Sequence, residues 1–315
     1  MGKSVRYLKI LQWAMVIAIF VFLGKMVWEN WAQVKEASLP LKVFPLILST
    51  LIFGFSYFIQ IWAWDLITHK LGIAISFRET LESWFYSQLG KYLPGKVWFL
   101  ISRFYFYEKK GKAKKTISVG LYIETVISIL AAGLISFMAF LSFPEARSIY
   151  SITQWGWFLV LVVLAFIFLH PKILKKMINW ALAQLRREPI DLTISYSDIL
   201  QILLVCLLSW GVGGLGFYFF VSSLWDISST ALFFLTGTLA ISNTLGLMAL
   251  FAPSGLGVRE GVLVYFFSTL MPSSMAVILS VLTRLWTTLI EIGLIGMVYL
   301  FGRLRRGFEK EHHHV

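Results

Sequence analysis

One cysteine, Cys206, is all the chain has in 315 residues, so no intrachain disulfide can form and no cysteine-based metal site is available. It lies inside an apolar run and reads as a small packed hydrophobe. Charge is almost as scarce: 14% of residues are Asp, Glu, Lys or Arg, 58% are hydrophobic, and mean hydropathy is +0.77. That composition cannot clothe a soluble core in a solvated surface, which excludes a soluble globular protein. Acid-rich metal motifs and Ser–His pairings are missing too. His69 and His170 stand isolated at the edges of apolar runs, and the tail His312-His313-His314 is compositional evidence only. We therefore expect no catalytic constellation, no metal and no cofactor, and a C-terminal tail over 303–315 that ends in a disordered terminus at 311–315.

Long apolar runs are what the chain does have. Those near or above the ~18–20 residues needed to cross a bilayer lie at 10–27, 43–66, 117–143, 154–169, 199–224, 231–252 and 273–301. The first follows Lys3, Arg6 and Lys9 as a signal peptide would, but no small-residue cleavage site follows, so it reads as a retained span. Two weaker stretches, 77–107 and 257–270, are cut short or broken by Pro-Gly. The reading is an all-α polytopic membrane bundle of about eight passes, a single membrane domain over 1–315.

Loop charge orients it. Clusters such as Lys109/Lys110/Lys112/Lys114/Lys115 and Arg303/Arg305/Arg306/Lys310 alternate with base-poor loops at 29–41, 144–153 and 225–230. Since cytoplasmic loops carry excess Lys and Arg, both termini are expected in the cytoplasm of a cell (inner or plasma) membrane protein. The count closes only if 257–270 crosses wholly or as one arm of a paired hairpin. The net charge of +12 resides at these boundaries and not on a soluble face, which argues against nucleic acid as a partner. Residues 171–196 read as an amphipathic cytoplasmic connector.

Two motifs interrupt this apolar plan. Leu93-Pro94-Gly95-Lys96-Val97-Trp98 runs on to Arg103; Pro253-Ser254-Gly255-Leu256-Gly257-Val258-Arg259-Glu260-Gly261 follows half a chain later. Irregular backbone at membrane depth survives only where protein or a water-filled cavity satisfies its N–H and C=O groups, so each motif implies a re-entrant or broken segment at an internal polar site. Pro94 and Pro253 are 159 residues apart, and each is followed about thirty residues later by a charge inside an apolar run, Glu124 and Arg284. An internal repeat is expected, with halves roughly 1–150 and 190–302. Ionised groups inside spans face the bundle interior and pair. The expected pair is Glu124 with Arg284, with Glu291 as competitor two turns beyond Arg284.

Together these residues, from 44 to 301, resemble the flippase-like transmembrane family typified by the membrane part of lysylphosphatidylglycerol synthetases, in its stand-alone form without an aminoacyl-transferase domain. The resemblance implies lipid translocation, or support for handling lipid-linked intermediates. On that reading Lys96, Arg103, Arg259 and Arg284 hold a lipid phosphate, while Glu124 and Glu260 balance the charge or accept a cationic head group. Pro94, Gly95, Pro253, Gly255 and Gly257 shape the backbone around it. The partner is then a lipid with an anionic or zwitterionic head group, and a homo-oligomer or a lipid-biosynthesis partner is left open. The competing readings are a membrane-embedded lipid-modifying enzyme and a non-transporting scaffold for cell-envelope biosynthesis.

Overall fold

The computed structural model describes residues 41–92, 98–142, 170–184, 194–249 and 255–312, together with the isolated positions 21, 28, 156, 167 and 189. Among them every regular element is helical: α1 (Val43–Lys70), α2 (Phe77–Gln88) continued by a 3-10 turn (Leu89–Tyr92), α3 (Trp98–Lys109), α4 (Lys114–Ser142), α5 (Pro171–Gln184), α6 (Tyr196–Leu224), α7 (Ala231–Met248), α8 (Val258–Phe267) and α9 (Ser273–His312). Five of these, α1, α4, α6, α7 and the Ser273–Gly302 part of α9, are long and apolar enough to cross a membrane. They coincide with five of the seven apolar runs; the other two, 10–27 and 154–169, fall outside the described residues. The α9 backbone stays helical through His312, two residues into the terminus expected to be disordered, and 313–315 fall outside the described residues.

Helix starts follow local chemistry where side chains meet water. Ser76 opens α2 with a reciprocal cap, its hydroxyl accepting from the Glu79 amide at 3.4 Å while its own amide donates to Glu79 Oε2 at 3.1 Å. Ser195 and Asp198 repeat the device at α6, at 3.2 and 2.9 Å.

The core pair is α1 against α6, running antiparallel. The Lys42 amide donates to the Ser223 carbonyl at 2.8 Å and Lys42 pairs with Asp226 at one end; Lys70 Nζ meets Asp198 Oδ1 at 2.7 Å at the other. Small residues let the backbones close, as bilayer helices require when lipid is as apolar as Leu. A Cβ on Gly216 would stand 2.8 Å from the backbone nitrogen of Phe53. The Ser209 hydroxyl donates to the Ser56 carbonyl at 3.0 Å across the same seam. Helices α4 and α7 pack beside it, joined by the Ser136 hydroxyl donating to the Gly237 carbonyl at 3.0 Å.

Two antiparallel hairpins enter this frame from opposite ends. In α2/α3 the open end is held by the ion pair between Lys110 and Glu79, next to Lys70 and Asp198, and by Thr80 donating to Asp65 at 3.2 Å. In α7/α8 the open end is an aromatic cluster in which Phe266 stacks on Phe140 at 4.7 Å and meets Phe234 at 5.9 Å, where α4 ends and α7 begins. At ten residues and ~1.5 Å per residue, α8 extends only ~15 Å, about half a hydrocarbon core. It packs against α7 as an arm of a hairpin, one of the two readings that the loop charges allowed, and at that length is too short to cross by itself. Pro94, Gly95, Lys96 and Pro253 lie outside the described residues, yet the segments flanking both breaks reach the centre of the bundle.

Candidate functional site

Between the hairpin tips lies a cavity of about 300 Å³. The long helices contribute to it near their midpoints: residues 53–60 of α1, 124–129 of α4, 209–213 of α6 and 284–291 of α9. Each of these stretches is ten or so residues from either end of its helix, or for α9 of its Ser273–Gly302 span, ~15 Å, so the cavity sits at mid-depth.

Both tips are shaped by glycine. Gly255 has φ +72°, a conformation that L side chains rarely adopt, and a Cβ there would approach the Gly246 Cα to 2.8 Å. Helix α7 therefore ends against the turn that starts α8. At the other tip a Cβ on Gly90 would lie 2.5 Å from the Phe99 nitrogen, which locks the 3-10 turn onto the start of α3.

Among the described residues seven charged side chains gather here, all largely buried. Arg103 (1% exposed) pairs with Glu124 at 2.5 Å, and its guanidinium lies 4.9 Å from the Trp64 ring centroid and 5.8 Å from that of Trp84. A buried cation is thus matched by one carboxylate and two aromatic faces. Lys91 pairs with Glu291, which also accepts the Tyr57 hydroxyl proton at 2.6 Å. Arg284 Nε lies 3.9 Å from Glu260 Oε1, while the other Glu260 oxygen accepts the Gly257 amide at 2.7 Å and so closes the first turn of α8.

Arg259 differs from the rest. It is 9% exposed and lines the cavity, its Nε is buried without a hydrogen-bond partner, and among the described residues no ion pair engages it. It also stands in the first turn of α8, where the helix dipole is already positive and a cation is disfavoured.

Of the residues singled out in sequence, Arg103, Glu124, Arg259 and Arg284 line one cavity, with Glu260 just behind it. Gly255 shapes the α7/α8 tip and Gly257 precedes α8. The expected Glu124–Arg284 pair is not formed: Glu124 binds Arg103, one hairpin arm away in the chain, and Arg284 faces Glu260. Glu291 serves Lys91. The repeat spacing suggested a pairing between halves, whereas the nearer cation on α3 reaches Glu124 first. Lys91 was missed, since it lies ahead of the break with no motif around it, and only the fold brings it to Glu291, 200 residues on. Polar lining from Gln60, Gln88 and Asn243 also carried no sequence signal. Among the described residues no group of His, Cys, Asp and Glu is arranged to hold a metal ion.

No curated protein matches the chain. Residues 11–296, however, match the family described as Lysylphosphatidylglycerol synthase TM region. A multi-helix frame long and apolar enough to span a bilayer, wrapped around a charged internal cavity, is thus the form taken here by an integral membrane protein that belongs to that family.

Proposed function

We propose that this protein moves a phospholipid or lipid-linked phosphate head group between membrane leaflets through the cavity between the two hairpin tips. The observation that carries the reading is Arg259, a buried cation at mid-depth with no protein counter-ion among the described residues, in a cavity approached from opposite ends by broken helices. An uncompensated charge at that depth is costly and is retained where it serves a pathway or a ligand. Broken helices at the midplane are how secondary transporters build substrate sites.

The element order supports an inverted repeat. A long helix, a hairpin and a second long helix occur as α1, α2/α3, α4 and again as α6, α7/α8, α9, with α1 and α6 antiparallel; their starts, Val43 and Tyr196 or Lys114 and Ser273, are separated by nearly the same interval as Pro94 and Pro253. If 10–27 and 154–169 span, six full crossings and two re-entrant hairpins put both termini on the basic, cytoplasmic side. Reconstituting the protein with fluorescent lipids and adding an impermeant quencher tests the function. Loss of the inner-leaflet signal faster than in protein-free vesicles is the predicted result; a rate no faster than in protein-free vesicles for every head group tried would reject it.

A further inference from the structure

The charges in the cavity are unequally shared, and the inequality selects a class of ligand. The two carboxylates that line the cavity are already committed, Glu124 to Arg103 and Glu291 to Lys91 and Tyr57; Glu260, behind the lining, accepts the Gly257 amide with one oxygen and holds the other, which has no hydrogen-bond partner, 3.9 Å from Arg284 Nε. Among the described residues four cations face three anions, and Arg259 is the one that no ion pair engages. Donors are in excess as well, because the indole N–H groups of Trp84 and Trp210, two further lining residues, are buried without partners. The neutral lining differs in kind. Thr244 and Asn243 give protons to backbone carbonyls and keep acceptor oxygens, enough for hydroxyl groups but not for an ammonium that has left water.

We infer that the cavity binds a phosphate-type anion whose head group carries no ammonium, with Arg259 as its counter-ion, and that it rejects lipids bearing a free amine. The inference rests on the translocation reading only for the route by which a lipid would enter; it concerns binding and not movement. An anion beside Arg259 neutralises the surplus cation and meets the positive end of the α8 dipole at once. An ammonium would enter beside an uncompensated guanidinium and find both lining carboxylates taken, a repulsion that solvent screens weakly at this depth.

Binding to the full-length protein in detergent tests this through protection against thermal unfolding, with phosphatidylglycerol, phosphatidylethanolamine and lysylphosphatidylglycerol as probes. Wild type should bind phosphatidylglycerol about ten- to a hundredfold more tightly than either amine-bearing lipid, the range expected for one charge-assisted contact, and Arg259→Gln should erase most of that preference. Displacement of phosphatidylglycerol by inorganic phosphate would support the site through the bare anion; a preference that resists phosphate would support it through the lipid-borne one. Equal binding of the three lipids by wild type, or tighter binding of an amine-bearing one, overturns the inference whatever the variant does. Lipid movement in vesicles without head-group preference would sink this inference alone, and anion-selective binding without movement would sink only the translocation reading.

Discussion

At the scale of single residues, what distinguishes the cavity is that its buried charges come in two kinds, compensated and not. Arg103 and Glu124 are compensated, so removing one strands the other. Glu124→Gln should destabilise the protein by about 3–5 kcal/mol, read as a fall in thermal midpoint in detergent, and replacing both by apolar residues should recover part of it. A double-mutant cycle should show strong coupling between Arg103 and Glu124 and weak coupling between Glu124 and Arg284; the reverse would contradict the observed pairing. Arg103→Ala is for the same reason a poor probe of transport, because it disturbs the fold. Arg259→Gln removes a charge that no ion pair engages among the described residues and should leave the midpoint within about 1 kcal/mol of wild type. Sequence alone marked these positions, since a charge in an apolar run is conspicuous. It did not mark their partners, because pairing depends on which helices touch.

At the scale of elements, two hairpins bring irregular backbone to mid-depth, and each is fixed at tip and base. Gly255→Ala places a side chain at φ +72° against the Gly246 backbone and should destabilise the α7/α8 hairpin by about 1–3 kcal/mol, with faster hydrogen exchange in α8 than in α1 or α6. At the base of α2/α3, hydrogen bonds from Lys110 and then Ser76 lower the Glu79 carboxyl from 4.5 to about 2. A depressed carboxylate pKa contributes stability above its unfolded value and loses it as pH falls through the folded value. The difference in thermal midpoint between wild type and Glu79→Gln should therefore be constant above about pH 5 and shrink toward pH 2, and a difference that grew on acidification would reject the ion pair. The breaks themselves were legible, because Pro-Gly and charge do not belong in a span. The opposed entry of the hairpins was not, since it follows from Lys110 meeting Glu79 and Phe266 meeting Phe234, contacts that no local pattern encodes.

At the scale of the whole molecule, one frame holds both hairpins: α1 antiparallel to α6, with α4 and α9 completing the wall. The reading of six crossings and two re-entrant hairpins predicts that, in a chain with Cys206 replaced, cysteines at Ser228 and Ser273 react with an impermeant thiol reagent from one side of the membrane and a cysteine at Ala113 only from the other. Labelling of positions 228 and 273 from opposite sides would contradict that reading, because it requires an odd number of crossings between α6 and α9. Membrane class and helix positions were readable from apolar runs alone, as 43–66 and 199–224 show, because span length is set by bilayer thickness. The cavity was not, because it is made of helix midpoints from distant parts of the chain. Its central claim, that a lipid head group passes between the hairpin tips, is tested most directly by filling that space. Ser128→Trp, on the α4 wall of the cavity, should keep the thermal midpoint near wild type and reduce quencher-detected lipid movement in vesicles at least tenfold. Unchanged movement by that folded variant, in vesicles where wild type is active, would contradict the account.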